Sequence, residues 1–485
     1  MPSPDLRVAV IGAGFAGMGA AIKLQDEGIT AITIFERGAD FGGTWRDNTY
    51  PGCACDIRSH LYSFSFFRNP DWTREFPQQP EIEAYLQNCA QRYGLRRYTQ
   101  FDTEVTELRW LDERAVWQVH TSHGEVREFE LVISATGPLS RPKSPDLPGL
   151  HEFGGTVFHS ARWNHGHALE GERIAVIGTG ASAVQFVPEI VAAAQHVTVF
   201  QRTAPWVLPR EDRPFTDVER RRFRRFSIVA RAKRYAIYLR QELLVRAFTG
   251  DVRAERMIRD GWAQFVAAQG VTGALLDQVT PGYAPGCKRL LISNDWYPTL
   301  QRDDVTLETE AIDRVEGGAI VTASGRRIEV DTIVFGTGFA ATDFLTPMKV
   351  FGRDGAELSE VWQRAGAATY LGTAVHGFPN LFLMVGPNTG LGHNSIVFMM
   401  EAQLHLVIGA VRSLATRTRR TVEVSAAAQA ASYADAQRRL SHTVWTTGGC
   451  DSWYRSADGH VDTLWPGGTL RYWWATRRFR PGDFR

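Results

Sequence analysis

R-V-A-V-I-G-A-G-F-A-G, Arg7 to Gly17, decides the fold, together with its recurrence R-I-A-V-I-G-T-G-A-S-A at Arg173 to Ala183. Each copy opens on a short β-branched apolar run, the pattern of a fully buried parallel strand. A glycine turn follows, and in the first copy a helical pattern through Ala20, Ala21 and Leu24. The next buried strand is Ile32 to Phe35 in the first copy and Val197 to Phe200 in the second. Both copies end on a further strand and a small-residue turn, A-T-G at Ala135 to Gly137 and G-T-G at Gly336 to Gly338. The spacing predicts an α/β chain with two Rossmann-like dinucleotide-binding domains. Runs at Val105 to Leu108 and Trp117 to Thr121, and others near Val305 and Ile320, add small antiparallel meanders.

The second copy is longer by about 35 residues, which the Arg-rich, helix-patterned stretch from Pro214 to Gly282 supplies as an inserted helical lobe. Proline-rich punctuation at Pro138 to Pro148 and Pro205 to Pro214 completes the division. Residues 1–150 and 378–485 are expected to form the first domain, 151–210 and 287–377 the second, and 211–286 the insertion. A chain of 485 residues, 44% hydrophobic and 22% charged with a formal charge of +1, has room for about three domains. Such a balance excludes disorder and nucleic-acid binding driven by bulk charge. Apolar runs about half a membrane span long, and a glycine loop already at Gly12, leave integral membrane contact and a leader unexpected and make the cytoplasm the default. Five cysteines without a C-x-x-C pair give no expectation of a disulfide framework or a metal site.

In G-x-G-x-x-G the first glycine makes the tight turn, the second admits a pyrophosphate and the third lets helix pack on strand. Gly12, Gly14 and Gly17 meet that pattern, and Glu36, 24 residues after Gly12, ends the next strand where an acid takes ribose hydroxyls. In the second loop Gly178, Gly180 and Ala183 stand at the same places, but the next strand ends in Gln201-Arg202-Thr203. An acid there would repel a 2′-phosphate, whereas Arg202 beside Thr203 accommodates one, so the second dinucleotide is read as NADP(H). Two sites in one chain imply electron transfer between nicotinamide and a second carrier, most simply FAD in the first lobe.

Between the loops lies F-G-G-T-V-F-H-S-A-R-W-N, Phe153 to Asn164. With Phe153, Gly155, His159 and Trp163 in place, it resembles the fingerprint of the Baeyer-Villiger monooxygenases, a branch of the class B flavoprotein monooxygenases. Asn164 departs from the usual closing Pro or Asp. G-G-T-W at Gly42 to Trp45, Y-P-G-C-A-C-D at Tyr50 to Asp56, K-R-L at Lys288 to Leu290 and G-P-N-T-G-L-G-H-N-S at Gly386 to Ser395 extend the resemblance. It implies that Gly43, Thr44 and Trp45 lie along a flavin, that Asp56 and Arg289 meet beside its ring, and that Lys288 assists Arg202. The implied activity is NADPH- and O2-dependent oxidation of a small-molecule ketone to an ester or lactone through a flavin peroxide, with no nucleic-acid partner. A fixed guanidinium would stabilise the developing anion, and a carboxylate would orient it. Rival readings are a heteroatom (N- or S-) oxygenase, which would not need Arg289, and a non-catalytic flavin/NADP redox sensor.

His393 is read as a structural hydrogen-bonder, and Cys53 and Cys55 as packing residues. The basic run Arg220 to Arg225 is placed on a helix with Phe223, Phe226 and Val229 on another face. A solvated helix over the second lobe is favoured there, with docking on an anionic membrane as the alternative. The C-terminal aromatics Trp445, Trp453, Tyr454, Trp465, Tyr472, Trp473 and Trp474 suit either a bulky apolar pocket or packing on the first lobe.

Overall fold

A computed structural model describes residues 6–416, 419–452, 454–455 and 459–485, so Trp453 lies outside the described residues. Five parallel strands make the first sheet, in the order Leu381–Leu383, Leu131–Ser134, Val8–Ile11, Ile32–Phe35, Thr99–Gln100. Val8 pairs with Ile32 on one side and Leu131 on the other. Every residue of the three central strands is buried, as a sheet covered on both faces requires. The second sheet repeats the plan with Val305–Glu308, His196–Phe200, Arg173–Ile177, Thr332–Phe335 and Thr156–His159, again all parallel.

The fingerprint segment thereby gains a place in the second sheet. Thr156 to His159, which carried no strand expectation between the two glycine loops, is the edge strand of the second sheet, in register with Thr332 to Phe335. A Cβ on Gly155 would lie 2.1 Å from the Asp331 carbonyl oxygen, so the strand enters the sheet too tightly for any side chain there. A correction concerns the return to the first lobe, expected near residue 378. Lys349–Phe351 already pairs with Glu107 to Arg109 in the antiparallel meander of Val105–Leu111, Val116–Thr121 and Val126–Phe129. Sequence pattern could not place that return, because a three-residue edge strand carries almost no periodic signal.

The insertion consists of helices Asp217–Arg225, Ser227–Phe248, Val252–Ala268 and Gly273–Val279. Its first two were read as one helix, but Phe226 is extended between them (φ −122°, ψ 91°). Phe223 is consequently buried while Phe226 and Val229 are exposed. Nor does the insertion cover the second lobe alone. Buried Arg234 donates to the carbonyls of His60, Leu61 and Ser63 in the first lobe at 3.0, 3.1 and 2.9 Å. A single apolar core runs from Val8 through Val176 and Phe248 to Leu464, joining both lobes and the insertion. The apolar helix Ile396–Ala415, long enough to cross a membrane, packs instead against the helices Phe15–Asp26 and Thr469–Thr476. Trp465 and Tyr472 pack with Leu391 and Met399 beside it.

Cysteine usage also departs from expectation. Cys287 and Cys450, 163 residues apart, form a disulfide with Cα atoms 6.1 Å from each other. A bridge that long in sequence leaves no spacing signature, and only the fold brings its ends together. Cys53, Cys55 and Cys89 are free and buried.

Candidate active site

Gly12 adopts φ +104°, and a Cβ on it would stand 2.5 Å from the Ala135 carbonyl oxygen. One on Gly17 would lie 1.8 Å from the Gly12 carbonyl oxygen, so the helix Phe15–Asp26 can press onto its strand only with glycine there. Gly178 repeats the turn at φ +106°, while Ala183 replaces the third glycine and packs with no exposure against Gly336. Neither helix has a side-chain cap at Gly14 or Gly180, so the first-turn amides at both N-termini remain available to an anion.

Gly43 closes on Gly14, where a Cβ on Gly43 would come 3.1 Å from the Gly14 Cα. Two bare backbones facing each other across a helix N-terminus make a cradle that side chains would fill, which fits a pyrophosphate. The Thr44–Asp47 turn places Trp45 against Tyr62, to whose hydroxyl the indole donates at 3.0 Å. Glu36 is buried at the end of its strand. Its Oε2 accepts from the Ala13 amide at 2.8 Å, and its Oε1 from the Gly38 amide at 2.8 Å and Arg46 Nη1 at 2.9 Å. With two acceptor directions on each oxygen, Oε2 keeps one for a ribose hydroxyl. A cavity of about 390 Å³ opens beside it, lined in part by Arg37, Gly38, Arg46 and Asp47.

In the second lobe, burial lowers the pKa of Lys288, and the neighbouring Arg202 cation lowers it further against the opposing pull of Asp451. Arg202 is exposed at the strand end, with Thr203 half-buried beside it. Two cations close enough to repel, with an open approach, suit a 2′-phosphate between them.

The fold also joins the pair that lies 233 residues apart. Arg289 Nε and Nη2 both donate to Asp56 Oδ2, at 2.9 and 2.7 Å, and Nη1 donates to the Leu391 carbonyl at 2.8 Å. Burial works to lower the Arg289 pKa, but the charge and hydrogen bonds of Asp56 outweigh it and the net direction is upward. Arg289 thus stays a cation at any working pH. Tyr454 lies within electrostatic range, its phenol pushed up to about 12 chiefly by burial. Asp56 and Leu391 belong to first-lobe segments and Arg289 follows the insertion, so the guanidinium bridges the lobes.

Several positioning groups had no sequence signal. Gln185, on the second-lobe helix Ala181–Ile190, accepts from the Tyr50 hydroxyl at 2.9 Å and donates to the Ala54 carbonyl at 3.0 Å. It clamps the Y-P-G-C-A-C-D segment just ahead of Asp56. The disulfide fixes the residue preceding Lys288 and Arg289 to the C-terminal segment. Leu391 lies within the G-P-N-T-G-L-G-H-N-S motif but contributes only its carbonyl, a role the motif does not reveal.

The fingerprint residues stay out of this cluster. His159, buried with its pKa lowered to about 4 by desolvation, caps the following turn by accepting from the Ala161 amide at 3.0 Å. Trp163 packs against Phe158 and against Phe186 of the helix that carries Gln185. Phe153 joins the core between the second sheet and its meander. His393 is buried, 3.6 Å from Glu242 of the insertion. Among the described residues no cluster of His, Cys, Asp or Glu could hold a metal ion.

Residues 5–248 match the flavin-binding monooxygenase-like (FMO-like) family. A Pseudomonas aeruginosa protein named Baeyer-Villiger monooxygenase is 46% identical over 98% of this chain and 90% of its own length. Among solved structures, an oxidized steroid monooxygenase bound to NADP superposes with a TM-score of 0.86 at 31% identity, covering 99% of both chains. The OTEMO complex with FAD and NADP gives 0.86 at 26% identity over 100% of this chain and 99% of that one.

Proposed function

The chain belongs to the flavin-binding monooxygenase-like family, and from that premise we propose that it is an NADPH- and O2-dependent Baeyer-Villiger monooxygenase in which Arg289 and Asp56 are the working pair. Its reaction inserts one oxygen atom of dioxygen beside a ketone carbonyl to give an ester or lactone, the second atom leaving as water. The observation that carries this reading is the Arg289 guanidinium, held by Asp56 and the Leu391 carbonyl where the lobes meet.

FAD on the first lobe would supply the activation of oxygen, and NADPH on the second the hydride. Gly12, Gly14, Gly17, Gly43, Thr44, Trp45 and Glu36 would hold the flavin dinucleotide. Gly178, Gly180, Ala183, Arg202, Thr203 and Lys288 would hold NADPH. Three of the five guanidinium N–H donors of Arg289 are used, one from Nε, one from Nη2 and one from Nη1. Two remain, one on each terminal nitrogen, to meet negative charge as it develops on oxygen. Because Asp56 and Leu391 fix the guanidinium beforehand, no reorganisation is needed when that charge appears. Asp56 also offsets the cost of burying the cation. His159 and Trp163 act at a distance, as positioning residues that seat the edge strand and the clamp helix.

Mass spectrometry of the products from a panel of cyclic, aryl and long-chain ketones with NADPH and oxygen tests the reading. Esters or lactones carrying one atom of labelled oxygen are expected. Oxygenation of an amine or sulfide, with every ketone recovered intact, would overturn it.

A further inference from the structure

Helix Ser227–Phe248 is apolar on two sides, one buried through Ala230, Ile237 and Phe248 and one facing outward. Ile228, Tyr235, Leu239 and Leu243 are each 62–65% exposed. At about 100° per residue they fall, with exposed Ala232 and Ala236, in one arc of about 100°, which at its C-terminal end also carries exposed Arg246, paired with Asp251. The side against the protein carries Ala230, Ile237 and Phe248 together with Arg234, bonded to three carbonyls, while Glu242, at the edge of the exposed arc, accepts from Asn394 Nδ2 at 2.9 Å. A surface helix ordinarily turns a polar face outward.

The apolar arc continues onto a second element. Glu242 accepts from Thr469 Oγ1 at 2.7 Å and the Leu470 amide at 3.3 Å, which ties the helix Thr469–Thr476 alongside. That helix exposes Leu470 and Trp474, one turn apart, with Arg477 3.3 Å above the Trp474 ring. Around the patch the charge is one-sided. Residues 220–259 hold 13 Lys and Arg against 3 Asp and Glu, and although Arg220, Arg224, Lys233, Arg234, Arg240, Arg246 and Arg259 are ion-paired, basic side chains remain. Arg221, Arg225 and Arg231 are exposed. A second copy brought to this face would set like charge against like. An anionic lipid surface would meet both the apolar arc and its basic border.

We propose that this face docks the protein peripherally on anionic lipid, the long helix lying in the plane of the interface with Tyr235, Leu239, Leu243 and Trp474 in the headgroup region. The same helix touches the loop that supplies Leu391, through Glu242 and Asn394. Lipid binding by this face does not depend on the ketone chemistry.

The FAD-loaded enzyme is sedimented with vesicles of phosphatidylcholine alone and of phosphatidylcholine mixed with phosphatidylglycerol, at low and high salt. Binding to the mixed vesicles that weakens with salt is expected. Leu239→Ser/Leu243→Ser should lower that partitioning about tenfold or more while ketone turnover in solution is unchanged. Arg225→Glu/Arg231→Glu should remove the preference for the anionic lipid. No sedimentation with mixed vesicles at low salt would overturn the proposal. So would a dimer, seen by sedimentation velocity and abolished by the leucine substitutions, in a protein that ignores vesicles.

Discussion

Replacing Asp56 by alanine removes the carboxylate oxygen that accepts two of the three hydrogen bonds fixing Arg289, leaving only the Leu391 carbonyl. The guanidinium remains but is free to turn about that one contact. Each charge-assisted bond contributes net ~1.5–3 kcal/mol when buried. With 26% of the Arg289 and 31% of the Asp56 side chain exposed, solvent screening brings the pair to ~1–2 kcal/mol. If that positioning energy is spent where charge develops, ester formation falls by about tenfold. Outright deletion of a preorganised donor would cost more, ~10²–10³-fold. Asp56→Asn, which keeps an acceptor of the same shape without its charge, should fall between wild type and alanine. The assay is stopped flow in two mixing steps, flavin reduction by NADPH and then ester yield on mixing with oxygen and ketone. Reduction should change no more than about twofold, on the order of a few tenths of a kcal/mol. Equal losses in both steps would refute the reasoning, since Asp56 would then be acting on cofactor binding or folding.

Arg202→Ala should weaken NADPH by about tenfold or more and leave NADH nearly unchanged, read from steady-state kinetics with each nucleotide; equal losses would remove the 2′-phosphate assignment. His159→Ala should retain bound FAD yet turn over more slowly, because the edge strand and clamp helix are loosened without touching the flavin cradle; loss of FAD on gel filtration would make His159 a folding residue instead. Acid should destabilise the fold through His60 and His159, both buried with pKa values lowered to about 4 from the ordinary 6.5, mainly by desolvation. Because the unfolded chain takes up those protons first, their contribution is complete above about pH 6.5 and is lost progressively as pH falls toward 4. The drop in melting temperature between pH 7 and pH 5 should therefore shrink in a His60→Phe/His159→Asn protein, and an unchanged drop would contradict it.

The glycine loops were legible because their constraints are local. Gly12 needs a positive φ, Gly17 has no room for a Cβ, and Arg202 takes the place of an acid at a fixed strand end. Arg289 and Asp56 were legible only through family resemblance, since nothing in either residue's surroundings in sequence points across 233 positions. Gln185 and the Cys287–Cys450 bridge had no signature, and the motif around Leu391 gave no hint of its carbonyl's contact with Arg289, because their meaning arises when distant segments pack. The insertion was misread for another reason. Its apolar residues were taken as one helix's packing face, whereas Phe226 breaks the helix, sending Phe223 into the core and leaving Ile228, Tyr235, Leu239 and Leu243 to solvent. Periodicity shows that a face exists; only the tertiary structure shows which way it points.

The central claim is that Arg289 serves oxygen insertion and not hydride transfer. The direct measurement is the yield of ester or lactone per NADPH oxidised by Arg289→Ala, with hydrogen peroxide quantified in the same reaction. Flavin reduction should persist near the wild-type rate while product falls ~10²–10³-fold and the electrons appear as hydrogen peroxide. Normal ester yield per NADPH from that variant would contradict the account.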